Sequence, residues 1–209
     1  MGVAETVAAI DPFDEIERGH QAEVLVWLAS TRDIYRRVKP ATPSPHLVTY
    51  AVLADPGDWS VFLVEHILAG LWLPAGGHVE PGEDPAVTVR RETMEELGVP
   101  ADLSLFDGSP VFLTVTPTRA AGVGRHTDVS LWYVLSGSRD LRLTLDQREF
   151  TGGRWWSAAE IESADPALFD PHMSRFLAKL RATGSAPLRP EPPRTVRTAA
   201  RPHRRLGPR

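Results

Sequence analysis

The chain contains no cysteine. That excludes a disulfide framework and any thiolate-held metal, and it fits a cytosolic protein. Long apolar runs are missing too. No stretch approaches the roughly 18–20 residues that a membrane span needs. The opening MGVAETVAAIDPFDEIERG has no basic segment followed by an apolar one, so it does not read as a secretory signal. Basic charge is scarce through most of the sequence. The net charge is −4, but residues 183–209 hold seven arginines against the single acid Glu191, a local +6, which leaves −10 for residues 1–182. An acidic body argues against nucleic-acid binding by the folded part.

The 209 residues suffice for one domain with a sizeable core plus extensions. Asp11-Pro12 reads as an N-cap followed by proline at the first helical position. Ile16, His20, Val24, Trp27, Leu28 and Tyr35 then recur at roughly helical spacing, so the pattern predicts a helix over 12–37, with a break near Ser30. The proline-rich KPATPSPH connects it to strand-like runs. HLVTYAVLA (46–54) and SVFLVEHI (60–67) flank the turn signal DPGDW and predict a hairpin. LWLPAGGH (71–78) ends in glycines. Asp84-Pro85 repeats the cap pattern and opens a helix closing at Gly98. PVFLTVTP (110–117), DVSLWYVLS (128–136) and GGRWWS (152–157) read as strands. Asp170-Pro171 opens a last helix carrying Met173, Phe176, Leu177 and Leu180. From about Thr183 the apolar periodicity stops, and the Arg/Pro-rich composition predicts a disordered tail. The expected organisation is a helical extension over 1–45, a main domain over 46–182 and the tail over 183–209. Irregularly mixed strands and helices, with hairpins, predict an α/β fold built on a mixed sheet.

The densest chemistry lies in GGHVEPGEDPAVTVRRETMEELGV (76–99). On a helix over 85–97, Ala86, Val89, Thr93 and Leu97 share one stripe. Glu92, Glu95 and Glu96 share the adjoining one. Like charges at this spacing cost about 0.2–0.5 kcal/mol per pair when solvated, and more when half-buried. A solvated acidic face is one explanation. The other is a divalent cation. Hard ions such as Mg²⁺ and Mn²⁺ take carboxylate oxygens, and Mg²⁺ commonly binds substrate phosphates as well. Paired glycines ahead of the helix let bare backbone approach an ion or a phosphate. Arg91 on the helix and Glu83 just before it are spaced so that a folded-back loop could pair them.

The segment resembles the Nudix box, G-x5-E-x7-R-E-U-x-E-E-x-G-U with U aliphatic. Gly77, Glu83, Arg91, Glu92, Glu95, Glu96, Gly98 and Val99 all fall in place. Thr93 departs from the aliphatic preference, but on the buried stripe, where it concerns packing. The resemblance implies an α/β/α sandwich around a mixed sheet, preceded here by an extra N-terminal helix. It implies a hydrolase that cleaves a diphosphate linkage in a nucleoside diphosphate derivative with Mg²⁺, or Mn²⁺ in its place. Glu92, Glu95, Glu96 and the Gly76 carbonyl would hold metal, and Arg91 and Glu83 would brace the loop. By position alone, His78 and Glu80 flank the glycine turn and could line the substrate mouth with Gly77, although loop residues need no such role. Glu92 is one candidate base.

Glu149, six residues before Trp155, is a second candidate for the metal cluster or for the base. The counter-reading is a surface loop acid. His126 and Asp128 show no metal-ligand spacing to another histidine and read as structural or edge-strand residues. Trp72, Trp132, Trp155 and Trp156 are base-stacking candidates, although packing explains most such residues. The N-terminal helix is open between capping the sheet, shaping the pocket and forming a homodimer interface. The simplest activity is that of a MutT-like nucleoside triphosphate pyrophosphohydrolase in the cytoplasm. An ADP-ribose or dinucleoside polyphosphate pyrophosphatase, and a non-catalytic nucleotide sensor, are the alternatives. An intact set of box glutamates favours catalysis over sensing.

Overall fold

The computed structural model describes residues 2–39, 42–118 and 124–184. The elements are α1 (Val3–Ala8), α2 (Glu15–Ser30), β1 (His46–Ala54), β2 (Val61–His66), β3 (Leu71–Leu73), β4 (Ala75–His78), α3 (Pro85–Leu97), β5 (Phe112–Pro117), β6 (Thr127–Ser136), β7 (Phe150–Trp156), α4 (Ala158–Ser163) and α5 (Met173–Gly184). Seven strands form one mixed sheet in the order β3-β2-β1-β6-β5, with β4 added to β1 and β7 to β2.

Strand β1 is the hub. It runs parallel to β6 along its whole length, from His46↔Asp128 to Ala54↔Ser136. The β1–β2 hairpin forms as the DPGDW turn predicts, but its ladder covers only Leu53↔Phe62 and Ala54↔Val61. Beyond that point β1 turns to β4, with Val48↔His78 to Ala51↔Ala75. Burial along β1 is almost unbroken, as expected of a strand covered on both faces. On one face Leu47, Ala51, Leu53, Leu131 and Tyr133 pack with Val89 and Leu97 of α3 and Val24 of α2. On the other, Val52, Leu63 and Trp132 pack with Ile161 of α4 and Met173, Phe176, Leu177 and Leu180 of α5. The architecture is therefore the expected α/β fold with helices on both sides of a mixed sheet.

The first helix breaks at Ser30 as expected, but it differs from the sequence expectation at its start and beyond that break. Asp14, not Asp11, caps α2, accepting from the Glu17 amide at 2.8 Å. The helix ends at Ser30, and Thr31 is already extended. The Thr31 hydroxyl accepts from the Asp33 amide at 3.0 Å, a local turn that competes with helix continuation. Ile34 and Tyr35 keep the apolar rhythm, but from an irregular segment. The short helices α1 and α4 carried too few turns to show a period. The last helix extends through Gly184, two residues into the expected tail. Beyond Gly184 that tail lies outside the described residues.

The place of α2 is clear from its polar side chains. β5 is an edge strand, and its outward amides need acceptors. Glu17 Oε1 accepts from the Leu113 amide at 3.1 Å and His20 Nδ1 from the Val115 amide at 3.4 Å. The helix thus covers the open edge of the sheet.

Candidate active site

The glycine strand and the glutamate helix are fixed against each other by two contacts. The Gly76 amide donates to Glu96 Oε2 at 2.8 Å. At Gly77 a Cβ would sit 2.3 Å from Glu92 Oε1, so the Glu92 carboxylate occupies the space a side chain would fill. Gly76 itself has φ +148°, and a Cβ there would lie 2.1 Å from the Thr49 carbonyl oxygen. The two glycines therefore do different jobs. Gly76→Ala is expected to destabilise the fold by about 1–3 kcal/mol, because backbone must move. Gly77→Ala is expected to fold nearly normally, since a flexible carboxylate can swing away. That shift should lower turnover by about 10²-fold. Paired thermal unfolding and rate measurements separate the two.

Helix α3 begins as the sequence predicts. Asp84 Oδ1 accepts from the Ala86 amide at 2.9 Å, Pro85 occupies the first turn, and Gly98 closes the helix at φ +70°. Val89, Thr93 and Leu97 are buried. The Thr93 hydroxyl donates to the Val89 carbonyl at 2.6 Å, so this polar exception is satisfied within the helix. Arg91 and Glu83 do meet. Nε and Nη2 of Arg91 donate to the two Glu83 oxygens at 3.3 and 3.1 Å. Glu83 also accepts from the Thr88 hydroxyl at 2.7 Å. The Arg91 guanidinium holds the Glu83 carboxyl below its usual range, and Glu83 in turn keeps Arg91 charged. Arg91 Nη1 reaches Glu92 at 2.7 Å, and Glu95, which is largely exposed, at 3.5 Å.

Glu92 and Glu96 are desolvated. Burial raises the Glu92 carboxyl, with Arg91 opposing and the charges of Glu95 and Glu149 adding to the rise. Burial pushes Glu96 up to about 8, opposed by the Gly76 amide and assisted by the charges of Glu92, Glu149 and Asp146. Glu149 is exposed on a loop. That loop is tied to the end of α3 by the Thr144 and Asp146 amides, which donate to the Leu97 and Glu96 carbonyls at 2.9 and 3.1 Å. The structure thus places Glu149 within electrostatic range of Glu92 and Glu96. Packed carboxylates that resist ionisation, with hard oxygen donors on one side of a glycine strand, fit a Mg²⁺- or Mn²⁺-type ion.

Two residues in this region gave no sequence signal. Arg36 is half-buried, and the charges of Asp128, Glu80, Glu92 and Glu149 offset its desolvation. It lies in a stretch that reads as continued helix. His46 was hidden as the first residue of an apolar strand. It is fully buried, and its Nε2 lies 3.0 Å from His78 Nε2. Strand alternation turns Gly77 toward Glu92 and His78 to the opposite sheet face, among His46, His126 and Asp128. Burial drives the His78 imidazole down to about 2. The tryptophans pack. Trp132 stacks on Phe176 at 4.8 Å, Trp155 meets Phe62 edge-on, and Trp156 lies between Trp72 and Phe169.

The family model of the NUDIX domain matches residues 44–180. The chain belongs to the Nudix family. It is accordingly a hydrolase of phosphorus-containing acid anhydrides, acting on nucleoside diphosphate derivatives. Among solved structures it is similar to a MutT protein from Methanosarcina mazei Go1, at 16% identity and TM-score 0.51, covering 66% of this chain and 94% of that one. It is also similar to a NUDIX-family hydrolase from Clostridium perfringens, at 18% identity and TM-score 0.48, covering 66% and 97%. The first likeness is one of fold. Among the described residues no helix is long and apolar enough to cross a membrane.

Proposed function

We propose that this Nudix domain is a Mg²⁺-dependent, MutT-like nucleoside triphosphate pyrophosphohydrolase acting in the cytoplasm, with Mn²⁺ able to substitute. The observation that carries the catalytic reading is the pair of desolvated carboxylates, Glu92 and Glu96, pressed against the backbone of Gly76 and Gly77. Such a pair is unfavourable unless a cation joins it. Glu92, Glu95, Glu96 and the Gly76 carbonyl would hold the ion, with Glu149 reaching in from its loop. A bound Mg²⁺ would neutralise charge on the diphosphate oxygens and acidify a water. The protein's own part is positioning. Arg91 and Glu83 lock the loop over 79–84 to α3. The bare backbone at Gly77 leaves room for the Glu92 carboxylate to lie against the strand. Glu92, with its raised pKa, or Glu149 would accept the water's proton.

The test is a hydrolysis panel. The protein is incubated with Mg²⁺ or Mn²⁺ and dGTP, 8-oxo-dGTP, CTP, ADP-ribose, NADH or diadenosine polyphosphates, and products are identified by mass. Pyrophosphate plus a nucleoside monophosphate, lost in Glu96→Gln, is the expected result. AMP plus a sugar phosphate would replace it with the ADP-ribose reading. Ligand binding without products across the panel would make the domain a sensor.

A further inference from the structure

Four side chains converge on the sheet face opposite the glutamate helix. His46 opens β1, His78 closes β4, His126 lies just before β6, and Asp128 is the second residue of that strand. The ladders bring them together, with His46 paired to Asp128 and Val48 to His78. One donor atom from each lies within 4.8 Å of the other three.

The orientation of the rings is informative. His46 Nδ1 lies 2.6 Å from the Pro43 carbonyl and His126 Nδ1 lies 2.7 Å from the Gly124 carbonyl. A carbonyl only accepts, so both Nδ1 atoms carry the proton. In the neutral rings both Nε2 atoms therefore present lone pairs inward. They face Asp128 Oδ1 at 3.2 and 3.3 Å. That oxygen is buried and receives no hydrogen bond among the described residues. His78 Nε2 lies 3.0 Å from His46 Nε2. Lone pairs aimed at a carboxylate oxygen repel it, and a buried unsatisfied acceptor costs about 1–3 kcal/mol. A cation among them turns each repulsion into a bond.

We propose that His46, His78, His126 and Asp128 form a second metal centre, separate from the glutamate site, that takes a zinc-like divalent transition metal. A tetrahedral ion with bonds of about 2.0–2.1 Å has donor atoms about 3.3–3.4 Å apart. Three of the six donor–donor separations, 3.0, 3.2 and 3.3 Å, are at or just inside that edge length, and all four donor atoms lie within 4.8 Å of one another, so small side-chain shifts close the site around an ion. Three imidazoles and one carboxylate suit zinc and its neighbours, not Mg²⁺ or Ca²⁺. The backbone carbonyls behind His46 and His126 supply the outer hydrogen bonds that fix ligating histidines. Four protein ligands leave no open position, so the centre is structural. It ties the start of β1 and the approach to β6 to β4, the strand whose Gly76 and Gly77 carry Glu96 and Glu92.

The test uses the full chain without an affinity tag, stripped with chelator and reloaded with Zn²⁺ or Co²⁺. One equivalent of zinc per chain is expected to survive gel filtration. Co²⁺ should give the intense ligand-field absorption of a tetrahedral site. The melting temperature should rise by roughly 5–10 °C at free zinc about 100-fold above Kd, and Mg²⁺ should not reproduce the shift. His126→Ala and Asp128→Asn should each lose the retained zinc, whereas Glu96→Gln should keep it. Substoichiometric zinc in the wild-type chain, octahedral cobalt, or equal retention by folded His126→Ala and Asp128→Asn would each overturn the proposal. The wild-type readings decide the matter even if the variants fold poorly. None depends on hydrolysis, so the result stands apart from the proposed activity.

Discussion

Glu96→Gln is expected to cut Mg²⁺-dependent turnover roughly 10³-fold while leaving the fold intact. Glutamine keeps an oxygen to accept the Gly76 amide and removes only the charge. In the metal-free protein that charge is mostly absent at neutral pH, because burial pushes the Glu96 carboxyl up to about 8. The sign of the pH effect follows. Between the ordinary value of 4.5 and about 8, the unfolded chain ionises this group while the folded chain keeps it protonated. The folded state therefore loses stability relative to the unfolded state as pH rises through this window. Glutamine escapes that loss, so the variant should melt at or above the wild-type temperature at pH 8 without metal. Metal binding needs the ionised carboxylate and must release its proton. Apparent Mg²⁺ affinity should rise about tenfold per pH unit below pH 8 and level off above it. The variant should lack that slope. Calorimetric Mg²⁺ titrations at several pH values check this directly. A wild-type affinity that does not change with pH would show that Glu96 is ionised before the ion arrives.

Much of this site was legible in the residues because it is local. The spacing of Gly77, Glu83, Arg91, Glu92 and Glu96 lies within one strand–loop–helix segment, where a helical period determines who faces whom. The burial of Val89 and Leu97 follows from that period alone, and the Arg91–Glu83 pair needs only the short loop before the helix to fold back. The Asp84 cap and the Gly98 stop were equally local. Glu149 was legible only as a candidate, since its approach depends on two backbone hydrogen bonds to the end of α3. The histidine cluster was not legible at all. His46, His78 and His126 are separated by some 30 to 50 residues, and only the β1–β4 and β1–β6 registers bring them together. His126 and Asp128 look isolated in sequence for the same reason. The expected break near Ser30 is where α2 ends, but the helix does not resume over 31–37, because Ile34 and the half-buried Tyr35 reach the core from an irregular segment. Burial imposes apolar residues there without imposing a helix, and the Leu47 amide donating to the Ile34 carbonyl shows that β1 has claimed that stretch.

Lys179→Ala should destabilise the protein by about 3–5 kcal/mol, a large share of the roughly 5–15 kcal/mol that holds a domain together. Glu17 is fully buried, and Lys179 Nζ reaches its two oxygens at 2.9 and 3.0 Å and the Asp11 carbonyl at 2.6 Å. Removing the ammonium leaves a carboxylate with no countercharge beside the core. Local relief is limited, because the Glu17 oxygens are already held by the Leu113 and Phe13 amides at 3.1 and 2.8 Å. At about 2–4 °C per kcal/mol for a chain of this size, the melting temperature should fall by roughly 6–20 °C. Glu17→Gln combined with Lys179→Met should recover most of the loss. It removes both charges and keeps one acceptor oxygen for the Leu113 amide of the edge strand. Both variants should retain full Mg²⁺-dependent turnover at temperatures where they are folded, since neither residue contacts the carboxylates of α3. A Lys179→Ala protein within about 1 kcal/mol of wild type would mean that water solvates Glu17. That would remove the reason for α2 to be integral to the sheet. A large loss, cured by the double replacement, would show that the segment before β1 completes the edge of the sheet and folds with it as one unit.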